Sequence, residues 1–220
     1  MRSFGIFTCV AALFAFAVVP ASAALIVGNG GFEVAGPGGP TDSDMWNEGA
    51  GAGSLSERDS TNPEFGAWAH HIYAGGPASS AAITQNSIAN VGLASLAPGS
   101  TVSLSFDALF NPGPGGVMIY RIGILNAVGG YVADSGFATI VSGSGGVYQN
   151  FTRGPLTVPA FGAYPNDAYA AFVEIVVNSA AFAGSTSEAF IDNVQIEGTL
   201  VPEPASLLLL GLASLFIRRR

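Results

Sequence analysis

Short segments in the middle of the chain alternate between apolar and polar residues. In TVSLSFDALF, residues 101–110, every second position from Val102 to Ala108 is apolar. A period of two is typical of a β-strand that buries one face. The segment YAAFVEIVV has the same period, and its predicted inner face consists of Tyr169, Ala171, Val173, Ile175 and Val177.

Further short runs resemble strands and are separated by residues that favour turns. The strand-like runs are AWAHHIY, AAITQ, GVMIYRIGIL, GVYQNFT and EAFIDNVQI, and the turn segments include EVAGPGGPTD, NPGPGG and VSGSGG. Glycine and proline supply turns and disfavour helices. This arrangement predicts an all-β fold, an antiparallel β-sandwich or barrel. We expect a functional site in the long loops, which we place before Ser60 and at residues 111–116.

The chain begins with a segment typical of export. Arg2 precedes an apolar run over residues 4–19, and Ala21 and Ala23 form a small-residue cleavage signal. These features predict a signal peptide over residues 1–23, cut by signal peptidase after Ala23. A buried first helix is the alternative. The single cysteine, Cys9, would be removed with the signal peptide.

The chain ends with a short apolar run followed by three arginines. Residues 205–217 carry no charge, and they are fewer than the roughly 17 to 25 residues of a comfortable membrane span. The basic cluster, which resists translocation, consists of Arg218, Arg219 and Arg220. Prolines at 202 and 204 separate the run from the preceding domain. The pattern predicts a short transmembrane helix that halts an exported chain.

The order of these C-terminal features resembles the PEP-CTERM sorting signal. The matching residues are Val201, Pro202, Glu203 and Pro204, then the apolar run, then the arginines. The resemblance implies processing by an exosortase-type enzyme in a Gram-negative bacterium that makes exopolysaccharide. It also implies transient insertion in the inner membrane, followed by release to the cell surface or the extracellular matrix. An ordinary C-terminal membrane anchor is the alternative.

Residues 24–200, between the two terminal signals, are numerous enough for one domain with its own core. This region has no lysine and three arginines, Arg58, Arg121 and Arg153, against fourteen acidic residues. A strongly negative balance argues against nucleic acid as a partner, because nucleic-acid-binding proteins need a basic face.

Three stretches carry a second resemblance. They are LIVGNGGFE at residues 25–33, ITQNSIANVGLASLAPGSTVSLSFDA in the middle, and AFIDNVQIEG near the end. In this order they resemble the galactose-binding-like jelly rolls of bacterial carbohydrate-binding modules. The resemblance implies a jelly roll whose first and last strands are neighbours, with a structural calcium ion where they meet. The matching acids are Glu33 and Asp192, and calcium takes carboxylate oxygens. Alternatively, Glu33 caps a turn and Asp192 binds loop amides.

Sugar binding would use aromatic faces and hydrogen-bonding side chains. The candidate ligand-binding residues are Trp46, Trp68 and Tyr73. Large aromatic residues in strands are often part of the core. For Trp46 we favour packing against the sandwich, and for Trp68 partial burial.

Enzyme motifs are absent from the sequence. His70 and His71 are adjacent, so on a strand they face opposite sides and cannot share one metal ion. There is no Gly-x-Ser-x-Gly elbow, and no acid has a recognisable catalytic context. We therefore predict a non-catalytic exported protein that binds polysaccharide in adhesion or in a biofilm matrix. A structural matrix protein without a defined ligand and an extracellular hydrolase are the alternatives.

Overall fold

The computed structural model describes residues 24–160, 162 and 168–201. This part of the chain contains twelve β-strands and no helix. They are β1 (Ala24–Leu25), β2 (Asn47–Ala50), β3 (Leu55–Asp59), β4 (Ala69–Gly75), β5 (Ser80–Asn86), β6 (Thr101–Pro112), β7 (Val117–Leu125), β8 (Tyr131–Asp134), β9 (Ala138–Ile140), β10 (Gln149–Thr157), β11 (Ala170–Asn178) and β12 (Thr186–Gly198).

The strands form two antiparallel sheets that pack face to face. Sheet I has the order β10-β6-β12-β4-β3, and β1 also pairs with β12. Sheet II has the order β2-β5-β11-β7-β8, and β9 also pairs with β7. The predicted all-β antiparallel sandwich of jelly-roll type is confirmed, as is the pairing of the first strand with the last.

Alternation along the two longest predicted strands is also confirmed. In β6, the side chains from Val102 to Ala108 at even positions are at most 2% exposed. In β11 and the residue before it, all the predicted inner residues from Tyr169 to Val177 are 0% exposed. Across the interior, the Phe106 ring of sheet I packs edge-on against the Tyr120 ring of sheet II, with centroids 5.0 Å apart. The apolar faces therefore form one shared core.

A buried amide ties the start of the domain to sheet II. Gln85 on β5 is 0% exposed. Its Oε1 accepts the Gly28 N–H at 2.9 Å, and its Nε2 donates to the Gly28 and Met45 carbonyls at 2.7 and 3.1 Å. Because a buried polar group must be hydrogen bonded to be tolerated, Gln85 fixes the segment that follows β1.

The predicted long loop before Ser60 is wrong in part, because β2 and β3 form within it. Strand β3 has the sequence LSERD, without an apolar face. Its inward residue is Arg58, which is 5% exposed and donates to the carbonyls of Phe32, Glu33 and Pro40. Pairing with β4 and these long-range hydrogen bonds stabilise the strand, and neither leaves a hydrophobic period in the sequence.

The predicted terminal signals lie outside the described residues. This applies to the signal peptide with Ala21 and Ala23, and to Pro202, Glu203, Pro204 and the arginine cluster at 218–220. Val201 is described, and its N–H donates to the Ser95 carbonyl at 2.8 Å. The domain limits at residues 23 and 200 stay predictions. Among the described residues, no helix has the length and apolar character needed to cross a membrane.

Candidate functional site

The outer face of sheet I carries a central cluster of acids, Glu64, Asp107 and Asp192. Strands β6 and β12 bring Asp107 and Asp192 together as directly paired residues. The Asp107 carboxylate accepts the side-chain amides of Asn150 at 2.7 Å and Asn193 at 2.8 Å. These neighbours leave Asp107 8% exposed, although it lies on the outer side of the sheet. The cluster is therefore a polar site built into the sheet.

Glu64 reaches this cluster from the loop between β3 and β4. Partial desolvation, together with the charges of Asp107 and Asp192 and a hydrogen bond with Asp107, raises the pKa of Glu64 to about 7. Two carboxyl groups can share a hydrogen bond only when one of them is protonated. The Asp107 oxygens also accept two amide donors. The raised pKa of Glu64 thus follows from its closeness to the other carboxylates of the cluster.

The two predicted calcium ligands hold the loop that contains Glu64. Glu33 Oε1 accepts the N–H groups of residues 67 and 68 at 2.8 and 3.1 Å. Asp192 Oδ2 accepts those of residues 64 and 65, both at 2.9 Å. Burial raises the pKa of Asp192 despite these bonds, and the Glu33 charge contributes to the rise. The structure thus places the two carboxylates at opposite ends of one loop, each accepting loop amides.

The chemical type of these two ligands suits a calcium ion, although both carboxylates already accept backbone amides. The carboxylates flank Gly31, because a Cβ atom placed there would lie 3.9 Å from Asp192 Oδ1 and 4.0 Å from Glu33 Cγ. Both offer hard oxygens, and calcium completes its coordination with backbone carbonyls and water. Calcium ligation by Glu33 and Asp192 stays a prediction.

The three predicted aromatic ligand residues occupy different environments. Trp46 is 6% exposed, and its ring packs 5.2 Å from that of Phe32, so it lies in the core. Trp68 is half-buried, with the Arg58 guanidinium 3.7 Å above its ring. Tyr73 is half-buried on the outer side of β4. Of the three, Tyr73 is the residue that faces outward from sheet I.

A groove of about 290 Å³ lies on the same outer face, across β10, β6 and β12. Its polar lining residues are Ser103, Ser105, Thr152, Arg153, Gln195 and Glu197. One wall is the segment 153–155, where β10 shifts its register against β6. Strand β12 also shifts register against β6, between Asp192 and Gln195. Such bulges bend strands and redirect side chains, so two of them flank the groove.

The two histidines face opposite sides of β4, as predicted. His70 is 0% exposed, and burial, with a contribution from His71, lowers its pKa to about 3. Its Nε2 lies 3.0 Å from Ser56 Oγ, and its Nδ1 lies 2.8 Å from the Oγ of Ser43, which is 1% exposed. This serine–histidine pair lies within the protein, where a polymer cannot reach it.

Sequence reasoning missed Glu64 and Asp107 as site residues. Asp107 had a signal, because it is the acid on the polar side of the alternating segment 101–110. Glu64 had none, because its position depends on amide bonds to Asp192, more than 120 residues away in sequence.

A protein-family comparison confirms the terminal motif. The PEP-CTERM protein-sorting motif matches residues 200–220. This motif indicates export and sorting to the cell surface, with processing by an exosortase. No curated protein matches the sequence.

Solved structures similar to this chain share its β-sandwich. The enzymatically active domain of the bacteriophage CBA120 tailspike protein 4 has a TM-score of 0.52 at 20% identity, covering 80% of this chain and 21% of that one. The arabinose-bound α-L-arabinofuranosidase MgGH51 has a TM-score of 0.51 at 14% identity, covering 79% and 26%. The tandem CBM22-1–CBM22-2 domain of Paenibacillus barcinonensis Xyn10C has a TM-score of 0.50 at 10% identity, covering 85% and 49%. The chain thus spans less than half of each of these proteins, and the similarity shows the fold.

Proposed function

We propose that the protein is an exported, non-catalytic module that binds polysaccharide through the groove on the outer face of sheet I. The observation that carries this proposal is the set of hydrogen-bonding side chains in that groove. The sorting motif and a fold shared with carbohydrate-binding modules support it. At the cell surface, such binding would serve adhesion or the organisation of a biofilm matrix.

The groove has the chemistry that sugar hydroxyls need. Ser103, Ser105 and Thr152 supply hydroxyls, which both donate and accept, and Gln195 supplies an amide. Within the described ranges, the hydroxyls of Ser103 and Ser105 make no hydrogen bond to the protein, so they are available to a ligand. The groove lies on an open sheet face, so a long polymer can pass across it without threading. Tyr73 lies on the same face, on the neighbouring strand β4, where it pairs with Glu188 of β12.

Maturation would require two proteases. Signal peptidase would cut after Ala23 during export. The exosortase-type enzyme would then act at the Pro202–Pro204 signal while Arg218–Arg220 hold the tail in the inner membrane. The sandwich would be released to the cell surface or beyond.

The test is a binding measurement with the full chain and polysaccharide prepared from cells that produce the protein. We expect saturable binding, weakened about thirtyfold by the double variant Ser105→Ala/Gln195→Ala, because each of the two lost hydrogen bonds contributes about 1 kcal/mol. The matched control is Thr84→Ala, on the outer side of β5 in sheet II, and it should bind like the parent. Equal binding by the double variant would refute the groove. No binding by the parent would favour a structural matrix protein without a ligand.

A further inference from the structure

A second cluster of ionisable side chains lies on the outer face of sheet I, at the edge opposite the groove. It consists of Glu57, Asp59 and His71, and one ligand atom of each lies within 4.8 Å of the other two. Glu57 on β3 pairs directly with His71 on β4, and Asp59 follows two residues later on the same side of β3. All three side chains are half-buried. Strand pairing therefore determines this cluster.

The imidazole of the cluster is held in place by its neighbours. His71 Nε2 lies 2.9 Å from Glu188 Oε1 on β12. The ring also stacks on Phe190, with centroids 4.4 Å apart and planes 7° from parallel. A carboxylate on one ring nitrogen is the usual support for a histidine that binds metal through the other. Glu188 is thus a positioning residue that leaves Nδ1 for a ligand.

The two carboxylates of the cluster retain free coordinating oxygens. Asp59 Oδ1 accepts the Thr61 N–H at 2.6 Å, which orients the group and leaves Oδ2. In the described ranges, the Glu57 carboxylate accepts no hydrogen bond from the protein. Asp59 Oδ2 and the Glu57 carboxylate are therefore both available to the same ion.

No arginine in the described part of the chain neutralises these carboxylates. Arg58 points inward and donates to backbone carbonyls. Arg121 binds the acids of sheet II, and Arg153 donates to the carbonyls of residues 135–136. These bonds leave Glu57 and Asp59 without an arginine partner among the described residues.

We infer that Glu57, Asp59 and His71 bind a divalent transition-metal ion of the Zn²⁺ class. Calcium and magnesium prefer oxygen ligands alone, whereas zinc binds imidazole nitrogen together with carboxylate oxygen at about 2.0–2.2 Å. Three protein ligands leave at least one position open to the solvent. The site differs in donor chemistry from the oxygen-only pair of Glu33 and Asp192, and it lies apart from the polysaccharide groove.

Calorimetric titration of the metal-free full chain with ZnCl₂ tests this site. We expect one equivalent to bind, with affinity reduced at least about tenfold in His71→Gln and in Glu57→Gln. Glu188→Gln should weaken binding about 10- to 100-fold, because it removes the support of the ring. Asp134→Asn, an acid on sheet II, is the matched control and should bind like the parent.

Substitution by Co²⁺ identifies the ligands independently. We expect visible absorption bands whose intensity changes in His71→Gln but not in Asp134→Asn. The metal-free melting temperature of each variant shows whether it folds, and Glu57→Gln leaves the stacked ring intact. No saturable heat with the parent would overturn the inference, as would equal affinity in the parent, His71→Gln and Glu57→Gln. Polysaccharide binding is measured without metal, so either proposal can fail alone.

Discussion

The outer faces of the two sheets handle negative charge in different ways. On sheet II, Arg121 lies 2.9 Å from Asp134 and 2.7 Å from Glu174. Its guanidinium also lies 4.6 Å from the ring centre of Tyr131 and 4.3 Å from that of Phe137. These acids and rings have a shared cationic partner within the protein. On this face, Arg121 therefore provides the positive charge that pairs with Asp134 and Glu174.

On sheet I the acids have no arginine partner in the described part of the chain. Their carboxylates instead form hydrogen bonds with backbone amides, asparagine side chains and a histidine. With three arginines for fourteen acids in residues 24–200, the placement of each arginine decides which face keeps its charge. Sheet I therefore retains polar and anionic groups that can bind a cation or a hydroxyl-rich ligand.

The largest expected effect is from Asp192→Ala. Its carboxylate accepts three backbone amides, from residues 64, 65 and 193, and the residue is 0% exposed. We expect the free energy of unfolding to fall by about 3 kcal/mol, because unsatisfied buried donors cost about 1–3 kcal/mol each. Glu174→Ala on sheet II should cost about 1 kcal/mol, because Arg121 keeps Asp134. Urea unfolding in metal-free buffer measures both, and equal losses would erase the difference between the faces.

Calcium should produce the next largest effect. If Glu33 and Asp192 bind the ion, calcium at a hundredfold excess over its Kd adds about 2.7 kcal/mol to the free energy of unfolding. The measurement is the melting temperature with calcium and with excess chelator. Glu33→Gln should abolish the difference, whereas Glu174→Gln should keep it. Identical melting temperatures in the parent would rule out a tight site.

Arg121→Met tests the other face. We expect a loss of about 1–2 kcal/mol, because the exposed carboxylate of Asp134, the half-buried carboxylate of Glu174 and two rings lose one shared partner. Adding Glu174→Gln should restore part of the loss, since the remaining repulsion between carboxylates is relieved. A double-mutant cycle by urea unfolding measures this coupling. Purely additive losses would mean that Arg121 does not neutralise the face.

The fold was predictable from sequence where the apolar and polar residues of a single strand alternate. Residues 101–110 and 169–177 bury alternate apolar side chains, so their periodicity carries the prediction. Adjacent histidines had to face opposite sides for the same geometric reason. Strand β3 had no such signal, because its inward side chain is an arginine bonded to carbonyls 18 to 26 residues away in sequence.

The candidate sites were less predictable for the same physical reason. Glu33 and Asp192 stood in motifs at the two ends of the domain. The Glu57–Asp59–His71 cluster instead needs the register of β3 against β4, and Glu64 needs the amide bonds of its loop. Contacts between distant segments create these sites, and a single sequence does not encode such contacts as a local pattern.

The smallest expected effect is the change in pH-dependent stability caused by Glu64→Gln. The direction of this change should differ from that of a variant on sheet II. The pKa of Glu64 rises from 4.5 to about 7 on folding, so its stabilising contribution is complete below pH 4.5 and is lost as the pH rises through 7. Glutamine still donates to Asp107 but does not titrate. The stability of the variant should therefore rise relative to that of the parent between pH about 5 and about 8. The change should be less than about 1 kcal/mol because Glu64 is exposed, and melting temperatures measured across this range follow it. Asp134→Asn, the control on sheet II, should lose stability because it removes one carboxylate partner of Arg121. His70, whose pKa is lowered, gives both proteins the opposite dependence below pH 6.5, and this cancels in the difference. A variant curve parallel to that of the parent would mean that Glu64 does not share its proton with Asp107.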